Sequence, residues 1–427
     1  MADRVVVIGD PSSVFVQTPV RFWRERGVDA VILTARWTGG PTVDGDLPVE
    51  SAEALAPAWV QAFAHGVCPV LDAANRISLA HDPARVATAL AAWAHTAEPP
   101  SITPPICDAL LIAAAVDTLQ PIGVFGHEAF AYGLATSLSR APRRTMLIWG
   151  ADVLQFAPMS DVTMALVRQA VDGLDYLLIN SNTMAEAIHE RFGVPPARLA
   201  RFSYGIDRQM FRPATAAEAC RIRDRWGIPD AARVVMNIRR FLPHWGSDVA
   251  WPAMAALAAA RPDVHLVLLD GGATAAEIDR AAVQAQALGL EHRVTFVRGQ
   301  VPLATVAELM SVADVGLSLV RTLEPVSWSV SQAAACGAAL IVADQPSYAL
   351  EAERGLDVCR TSTLDPVSLV AHVTELLDDP ATRSRMAAAN TAYVTAYQDR
   401  EVELTRLLRL VVGASAADRL LGAVASR

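Results

Sequence analysis

Lysine is absent from this 427-residue chain, so all 36 of its basic residues are arginines. An arginine bias of this kind, together with abundant alanine, is associated with GC-rich bacterial genomes. Any positive contact to an anionic ligand must come from a guanidinium, a histidine or a backbone dipole. The net charge of −9 also lacks the basic excess that phosphate-backbone binding requires, so we expect no nucleic-acid partner.

Cysteine is scarce and its spacing is uninformative. The five cysteines, Cys68, Cys107, Cys220, Cys336 and Cys359, are scattered and form no C-x-x-C pair. This pattern favours neither a disulfide framework nor a zinc site, and it suits a reducing cytoplasm. No D-x-D carboxylate pair with a convincing loop context is present either, so we expect no metal site.

Long apolar runs are missing too. No run is long enough to cross a bilayer, and the chain passes from MADR into a strand without the pattern of a signal peptide. We therefore expect a cytoplasmic protein with at most peripheral membrane contact. The content of 52% hydrophobic and 19% charged residues is typical of a globular protein, and the length suggests two or three domains.

What the sequence does contain is an alternation of apolar strands and amphipathic or alanine-rich helices, which is typical of α/β proteins with parallel sheets. The first helix is predicted over 18–26, with Thr18 as N-cap and Pro19 at its first position. Residues 38–60 are predicted to be an irregular insertion, and 84–97 and 106–119 to be helical. Strands are predicted at 4–9, 28–34, 122–125, 145–149, 175–181, 234–238, 265–269, 294–297, 315–320 and 339–342. No G-x-G-x-x-G follows the first strand, so there is no dinucleotide-binding fingerprint.

The most informative stretch runs from Val315 to Val342. It predicts a strand, a loop with Glu324, a helix from about Ser327 to Cys336, and a second strand. In such a crossover the loop lies at the carboxyl end of the first strand, where open α/β sheets bind ligands. A carboxylate, hydroxyls and helix N-terminal amides together suit sugar hydroxyls and phosphate oxygens.

This stretch resembles the donor-site signature of the retaining GT-B-fold glycosyltransferases of family four, the group 1 type. Their pattern is Glu, seven residues, Glu and then Ala-x-Ala-Cys-Gly; here Glu324 is followed by Gln332 and by residues 333–337, AAACG. The resemblance implies that Glu324 meets the transferred sugar and that Gln332 bonds the nucleotide ribose. It places the donor diphosphate near Ser327, where the family usually has Gly, and near Trp328 and Ser329.

The resemblance extends over most of the chain. Gly205-Ile206-Asp207, with Phe211 and Pro213 beyond, resembles the family's interdomain linker. The implied GT-B fold has two Rossmann-like domains with parallel sheets facing across a cleft. Its implied parts are an acceptor-binding domain over 1–207, a nucleotide-sugar-binding domain over 208–395, and a C-terminal helix over 396–427 that crosses back. The last long helix is predicted over about 380–411.

Residues 239–246, RRFLPHWG, lie where the family has G-R-L-x-x-x-K-G. Arg240 takes the place of the arginine that meets the donor diphosphate, and Trp245 takes the place of the lysine. Arg239 could supply the missing charge. Trp245 could stack on a base or a sugar, or pack against the following helix, and we favour packing.

Further donor-binding residues implied by the resemblance are Gly9, Gly271 and Arg298, although Gly9 could equally form a plain tight turn. His127 occupies the place of a catalytic histidine that faces the sugar; the alternative is a solvated loop histidine. Asp152 lies in a Gly-x-Asp turn and could bind the acceptor or cap the next helix.

The resemblance thus implies a retaining transferase that moves a sugar from a nucleotide-diphosphate sugar to a hydroxyl of a small-molecule, natural-product or glycan acceptor. His127, Glu324 and Arg240 are its predicted catalytic residues. The donor is a co-substrate and not a cofactor, and UDP is favoured by analogy alone. Arginines and a helix N-terminus would neutralise the leaving diphosphate without a metal.

Two alternatives remain open. Gln332, Ser327, Trp245 and the lone Gly9 depart from the family pattern, which would suit a non-catalytic homologue that binds a sugar nucleotide or a partner protein. An epimerase of a sugar nucleotide ranks last, because only Glu324 is clearly placed as the acid–base carboxylate that such chemistry needs. The sugar, the acceptor and a homodimeric state also stay open.

Overall fold

The structure is a computed structural model. It describes residues 3–36, 47–64, 103–129, 131–150, 161–271, 275–299, 301–321, 326–361 and 365–425. The chain divides into two compact units, Met1–Tyr204 with Val402–Arg427, and Gly205–Glu401. Each unit contains one parallel sheet with helices, so the predicted α/β class is confirmed.

The first unit is built on a seven-stranded parallel sheet in the order β3-β2-β1-β4-β5-β6-β7. Its central strands are short, apolar and buried along their length, as expected of parallel strands covered on both faces. The strands are β1 Val5–Ile8, β2 Ala30–Thr34, β3 Val49–Ser51, β4 Gly123–His127, β5 Arg144–Leu147, β6 Tyr176–Ile179 and β7 Leu199–Arg201. Central β1 pairs with both β2 and β4.

The helices of the first unit are Val14–Glu25, Ala52–Leu55, Pro57–Ala64, Thr103–Leu119, Ala131–Leu138, Asp161–Asp172, Asn182–Phe192, Arg400–Val412 and Ala414–Ala425, with a 3-10 turn at Pro196–Arg198. The predicted start of the first helix at Thr18 is wrong. Ser13 is the N-cap in extended conformation, and Pro19 lies inside the helix. Burial of Val16, Val20 and Trp23 along one face outweighs the helix interruption that a proline usually causes.

The predicted irregular insertion at 38–60 is also wrong over its described part. β3 pairs with β2 in parallel register and forms the edge of the sheet, and two short helices follow it. The prediction of a helix over 106–119 is confirmed by Thr103–Leu119, whereas 84–97 lies outside the described residues.

The C-terminal segment packs on the first unit. The Trp23 indole N–H donates to the Leu404 carbonyl at 3.1 Å, and a Cβ added at Gly123 would lie 2.2 Å from the Val411 carbonyl oxygen. The single helix predicted over 380–411 is instead two helices, Pro380–Tyr397 and Arg400–Val412. The chain leaves helical geometry between them because Asp399 forms a β-bridge with Ile206.

The second unit is built on a six-stranded parallel sheet in the order β10-β9-β8-β11-β12-β13. Its strands are β8 Arg233–Asn237, β9 Val264–Leu269, β10 Val294–Val297, β11 Val315–Ser318, β12 Ala339–Ala343 and β13 Cys359–Thr361. Its helices are Ala216–Trp226, Ser247–Ala260, Ala275–Ala287, Leu303–Met310, Trp328–Ala335, Tyr348–Glu353, Pro366–Asp378 and Pro380–Tyr397, with a 3-10 turn at Pro243–Trp245. Apolar clusters cover both faces of the sheet.

Both sheets share one topological feature. The first strand of each unit has its sequential neighbour on one side and the fourth strand on the other, so the strand order reverses beside β1 and beside β8. In open α/β sheets, ligands bind at the carboxyl ends of the strands at such a switch point. Gly9 and His127 lie at this point in the first unit, and Arg239 and Leu319 lie there in the second.

Candidate functional site

The turn after β8 is fixed in place by Gly246. This glycine ends the 3-10 helix Pro243–Trp245 at φ 79°, and a Cβ added to it would lie 2.0 Å from the Leu319 carbonyl oxygen. Only glycine combines that backbone conformation with so close an approach to the end of β11. The contact brings the Trp245 turn to the switch point of the second sheet.

Arg239 is held between that turn and a helix N-terminus. Its guanidinium carbon lies 4.1 Å from the centroid of the Trp245 ring, and its Nη1 donates to Ser329 Oγ at 3.3 Å. Stacking uses the face of a guanidinium, whereas its N–H groups point outward from the edge. Trp245 therefore has a partner that neither of the sequence-based alternatives named.

The helix Trp328–Ala335 begins beside this arginine. Ser327 is its N-cap and accepts from the Val330 amide at 3.4 Å, and the hydroxyl oxygens of Ser327 and Ser329 are 2.6 Å apart. The Trp328 indole donates to the Gly205 carbonyl at 2.9 Å. The structure thus brings the predicted donor residues 327–329 together with Arg239 at the positive end of a helix dipole.

Arg240 makes a separate contact with the next strand. Its Nε donates to the Gly271 carbonyl, and Gly271, at φ 57°, leaves space where a Cβ would lie 2.9 Å from Arg240 Cγ. The predicted donor residues Arg240 and Gly271 are therefore adjacent at the ends of β8 and β9.

Four polar side chains around this edge are buried and incompletely bonded. The atoms Asn237 Oδ1, Asp270 Oδ1, Ser318 Oγ and Gln332 Nε2 have no hydrogen-bond partner within the described part of the chain. All four residues are at most 7% exposed. Because an unpaired buried polar atom costs about 1–3 kcal/mol, these atoms mark a place where an external polar partner would be favourable.

Of these four residues, sequence reasoning identified only Gln332. Asn237 and Ser318 close apolar strands β8 and β11, and Asp270 directly follows β9. A polar residue at the end of an apolar run is the signal that could have found them.

The loop after β10 is tied to the same edge. Asp270 Oδ2 accepts from the Gly299 amide at 3.0 Å. The side chain of Arg298 is exposed and pairs with Asp279 at 2.9 Å. The backbone of this loop therefore lies at Asp270, while the Arg298 guanidinium forms its ion pair with Asp279 of the helix Ala275–Ala287.

In the first unit, His127 is a buried strand residue, so its alternative assignment to a solvated loop is wrong. It is the last residue of β4 and is 5% exposed. Its Nε2 lies 2.9 Å from Tyr204 Oη, and the Trp149 indole N–H donates to its Nδ1 at 3.5 Å. Burial lowers the pKa of His127 to about 3, against an opposing effect of the Asp10 charge, so the ring is neutral at physiological pH.

Aromatic rings surround this histidine. The Phe15 ring centroid lies 4.9 Å from that of Trp149 and 5.2 Å from that of Tyr204. At Gly9, an added Cβ would lie 2.5 Å from Val16 Cγ2 and 3.2 Å from His127 Cβ. Gly9 therefore allows the helix Val14–Glu25 to pack closely against the ends of β1 and β4.

Two predicted site residues, Glu324 and Asp152, lie outside the described residues. Across the described ranges, no group of three or more His, Cys, Asp or Glu side chains is close enough to hold a metal ion. In the same ranges, no helix has the length and apolarity needed to span a membrane.

Comparison with solved structures defines the class of fold. The chain superimposes on the Anabaena protein HepE, determined in complex with UDP-glucose, with a TM-score of 0.63 and 15% sequence identity, covering 99% of this chain and 100% of that one. This likeness, with the two parallel sheets, confirms the predicted GT-B fold.

A family model matches part of the second unit. Residues 220–393, within the second unit, match the model of the family described as "Glycosyl transferases group 1". This segment is therefore similar to the group 1 glycosyl transferases, in agreement with the sequence resemblance.

Curated relatives match part of the chain. One is the D-inositol 3-phosphate glycosyltransferase of Thermobispora bispora, 28% identical over 233 residues, which are 53% of this chain and 53% of that protein. Another is the GDP-mannose-dependent monoacylated alpha-(1-6)-phosphatidylinositol monomannoside mannosyltransferase of Corynebacterium glutamicum, 27% identical over 268 residues, 60% of this chain and 65% of that protein. The matched segments therefore span less than two thirds of these relatives.

Proposed function

We propose that this protein is a glycosyltransferase that moves a sugar from a nucleoside-diphosphate sugar to a hydroxyl group of a small-molecule, natural-product or glycan acceptor. The observation that carries the proposal is the carboxyl edge of the second sheet. There, two arginines and a helix N-terminus supply positive charge beside four buried polar side chains, each with one atom that has no hydrogen-bond partner among the described residues. This combination suits a ligand that has both phosphates and hydroxyl groups.

The chemistry requires stabilisation of the departing diphosphate as positive charge develops at the anomeric carbon. Guanidinium groups and a helix N-terminus fixed in advance are suited to that task, because they need little reorganisation during the reaction. We propose that the transfer proceeds without a metal and with retention of anomeric configuration. In this scheme Glu324 orients the donor sugar, and the leaving phosphate oxygen accepts the proton of the acceptor hydroxyl.

The proposed role of His127 is limited by its environment. A neutral imidazole, held by contacts on both ring nitrogens, can accept or donate a hydrogen bond but carries no charge at neutral pH. We therefore propose that it acts by hydrogen bonding and packing, with no protonated form in the catalytic cycle.

For the donor, the names of similar proteins suggest two nucleotides to test. HepE was determined with UDP-glucose, and the Corynebacterium relative is GDP-mannose-dependent. We propose UDP-sugars as donors, with GDP-sugars as the first competitors to compare. Inositol phosphate is the first acceptor to test, because the Thermobispora relative is named for it. The proposed site of reaction is the cytoplasm.

The test is release of nucleoside diphosphate from a panel of UDP- and GDP-sugars, with and without acceptors, in buffer containing EDTA. We expect acceptor-dependent release, and an NMR spectrum of the product that shows the same anomeric configuration as the donor. Binding across the panel with no turnover would contradict the proposal and support the non-catalytic alternative. Turnover that is lost in EDTA and restored by a divalent metal would contradict metal independence.

A further inference from the structure

The pairing of Arg239 with Trp245 goes beyond what the family resemblance implies for either position. That resemblance gives Trp245 the place of a lysine and leaves its task open. The structure puts its ring 4.1 Å from the guanidinium carbon of Arg239, in a chain with no lysine to provide an alternative cation. The Trp245 ring therefore makes a cation–π contact with Arg239, the arginine that follows β8.

We propose that Trp245 is a positioning residue that holds Arg239 as a ligand for the terminal phosphate of the donor's diphosphate. This inference rests on the proposed function and names a specific contact within it. Three observations carry it, namely the cation–π geometry, the hydrogen bond to Ser329, and the fixed turn at Gly246.

The cation–π contact fixes the orientation of Arg239. A ring against the guanidinium face restricts the rotation of a long side chain, and the contact uses the face of the group and not its N–H edge, which is the edge that binds phosphate oxygens. Arg239 is half-buried in this position, whereas Arg240 is exposed. A guanidinium that is ordered before the ligand arrives loses less conformational entropy on binding.

The bond to Ser329 places the charge at a helix N-terminus. Ser329 is in the first turn of the helix Trp328–Ala335, and Arg239 Nη1 donates to its hydroxyl at 3.3 Å. An oxyanion at this point would meet a guanidinium and a positive helix end together. One turn further along the helix, buried Gln332 has an amide nitrogen that lacks a partner within the described ranges, which is an independent sign of a missing polar ligand.

The Trp245 turn is itself rigid, so it can serve as a support. Gly246 holds it against the Leu319 carbonyl at a distance that no side chain would allow, and the turn is closed by the bond from the Gly246 amide to the Pro243 carbonyl at 2.9 Å. These contacts fix the backbone from which the Trp245 side chain extends.

The test compares the affinities of UDP and UMP, and of GDP and GMP, by isothermal titration calorimetry. The ratio of diphosphate to monophosphate affinity isolates the contribution of the terminal phosphate. We expect Trp245→Leu and Arg239→Lys to lower this ratio by roughly tenfold, the size of a partly desolvated cation–π contact. Trp245→Phe should keep most of the wild-type ratio, because an aromatic face remains against the guanidinium.

The chain offers a matched control in the same unit, where the Arg354 guanidinium lies 5.2 Å from the centroid of the Tyr397 ring. Tyr397→Leu removes a comparable pair and should leave the ratio unchanged. If Trp245→Leu and Arg239→Lys fold, bind the monophosphate normally and keep the wild-type ratio, the positioning role is wrong while the proposed function stands. A wild-type protein that binds no nucleoside diphosphate would overturn both.

Discussion

His127 and Tyr204 are joined by a 2.9 Å contact between Nε2 and Oη, in an environment where both side chains are almost completely buried. If the Trp149 N–H donates to Nδ1, then Nε2 carries the ring proton and donates to the Tyr204 oxygen. Burial also raises the pKa of Tyr204 well above its usual value, so both partners are neutral. Burial keeps the ring of His127 neutral, and the contacts with Trp149 and Tyr204 fix the tautomer of this histidine, which the resemblance predicts to be catalytic.

The first prediction follows from that pair. Tyr204→Phe would leave the His127 ring nitrogen without its partner in a buried site, so the free energy of unfolding should fall by about 1–3 kcal/mol. Urea denaturation followed by circular dichroism measures this change. The control is Tyr176→Phe at the half-buried start of β6, which should alter stability by less than about 0.5 kcal/mol. Equal effects of the two variants would show that the contact contributes nothing specific.

The second prediction concerns acid. The pKa of His127 is lowered to about 3 and that of His265 to about 4, in both cases mainly by burial. The unfolded chain binds these protons below about pH 6.5 while the native protein does not, so stability should fall as the pH drops from 6.5 towards 4. Each histidine should lower the free energy of unfolding by up to about 1.4 kcal/mol for each unit by which the pH falls in this range.

Denaturation curves from pH 7 to 4 test this, with His127→Gln and His265→Gln for comparison. Each variant should show a shallower loss of stability with falling pH than the wild-type protein. An unchanged pH slope in His127→Gln would mean that the imidazole is protonated in the native state.

The third prediction uses two glycines with similar backbone angles. Gly246 and Gly227 have φ of 79° and 63°, but a Cβ at Gly246 would strike the Leu319 carbonyl, whereas at Gly227 no described atom lies within 4 Å. Gly227→Ala should cost roughly 1 kcal/mol from backbone strain alone. Gly246→Ala should cost clearly more, and the surviving folded protein should bind nucleoside diphosphate weakly. Thermal unfolding and calorimetry of both variants make the comparison, and equal losses would exclude a special role for the turn.

The fourth prediction separates a ligand contact from a structural one. Gln332 is buried with an amide nitrogen that has no partner within the described ranges, whereas Asn390 is buried with its side chain bonded to both the amide and the carbonyl of Asp357. Gln332→Met should leave the stability of the ligand-free protein within about 1 kcal/mol and weaken nucleotide binding. Asn390→Leu should destabilise the protein by roughly 2 kcal/mol or more without a direct effect on the site. Calorimetry measures nucleotide affinity and urea denaturation measures stability in both variants. A Gln332→Met protein that binds nucleotide with normal affinity would show that Gln332 is not a ligand contact.

Much of the fold was predictable because buried parallel strands are short apolar runs in the sequence. A run such as Val315–Ser318, followed by a helix, is best interpreted as a strand of a parallel sheet. The start of the helix at Ser327 was predictable from a local signal too, since a serine hydroxyl satisfies an amide in the first turn of a helix. Predictions from local sequence were wrong where tertiary contacts determine the ends of a helix. Pro19 lies inside a helix whose buried face packs on the sheet, and the predicted helix over 380–411 is interrupted where Asp399 pairs with Ile206.

The site was predictable only in part. The sequence indicated which residues follow the strands, but the partners of Arg239 and His127 are distant in the chain. Trp245 is six residues from Arg239, and the contact of its ring with the guanidinium depends on a turn that Gly246 holds against Leu319, which no local pattern indicates. Tyr204 lies 77 residues from His127, and no local pattern indicates their contact.

The most direct test of the central proposal is acceptor-dependent release of nucleoside diphosphate from sugar nucleotides by the wild-type protein and by the Glu324→Ala and Arg240→Ala variants. The proposal predicts turnover by the wild-type protein and a loss of roughly 100-fold or more in each variant, with circular dichroism spectra unchanged. Transfer at near wild-type rates by both variants would contradict it.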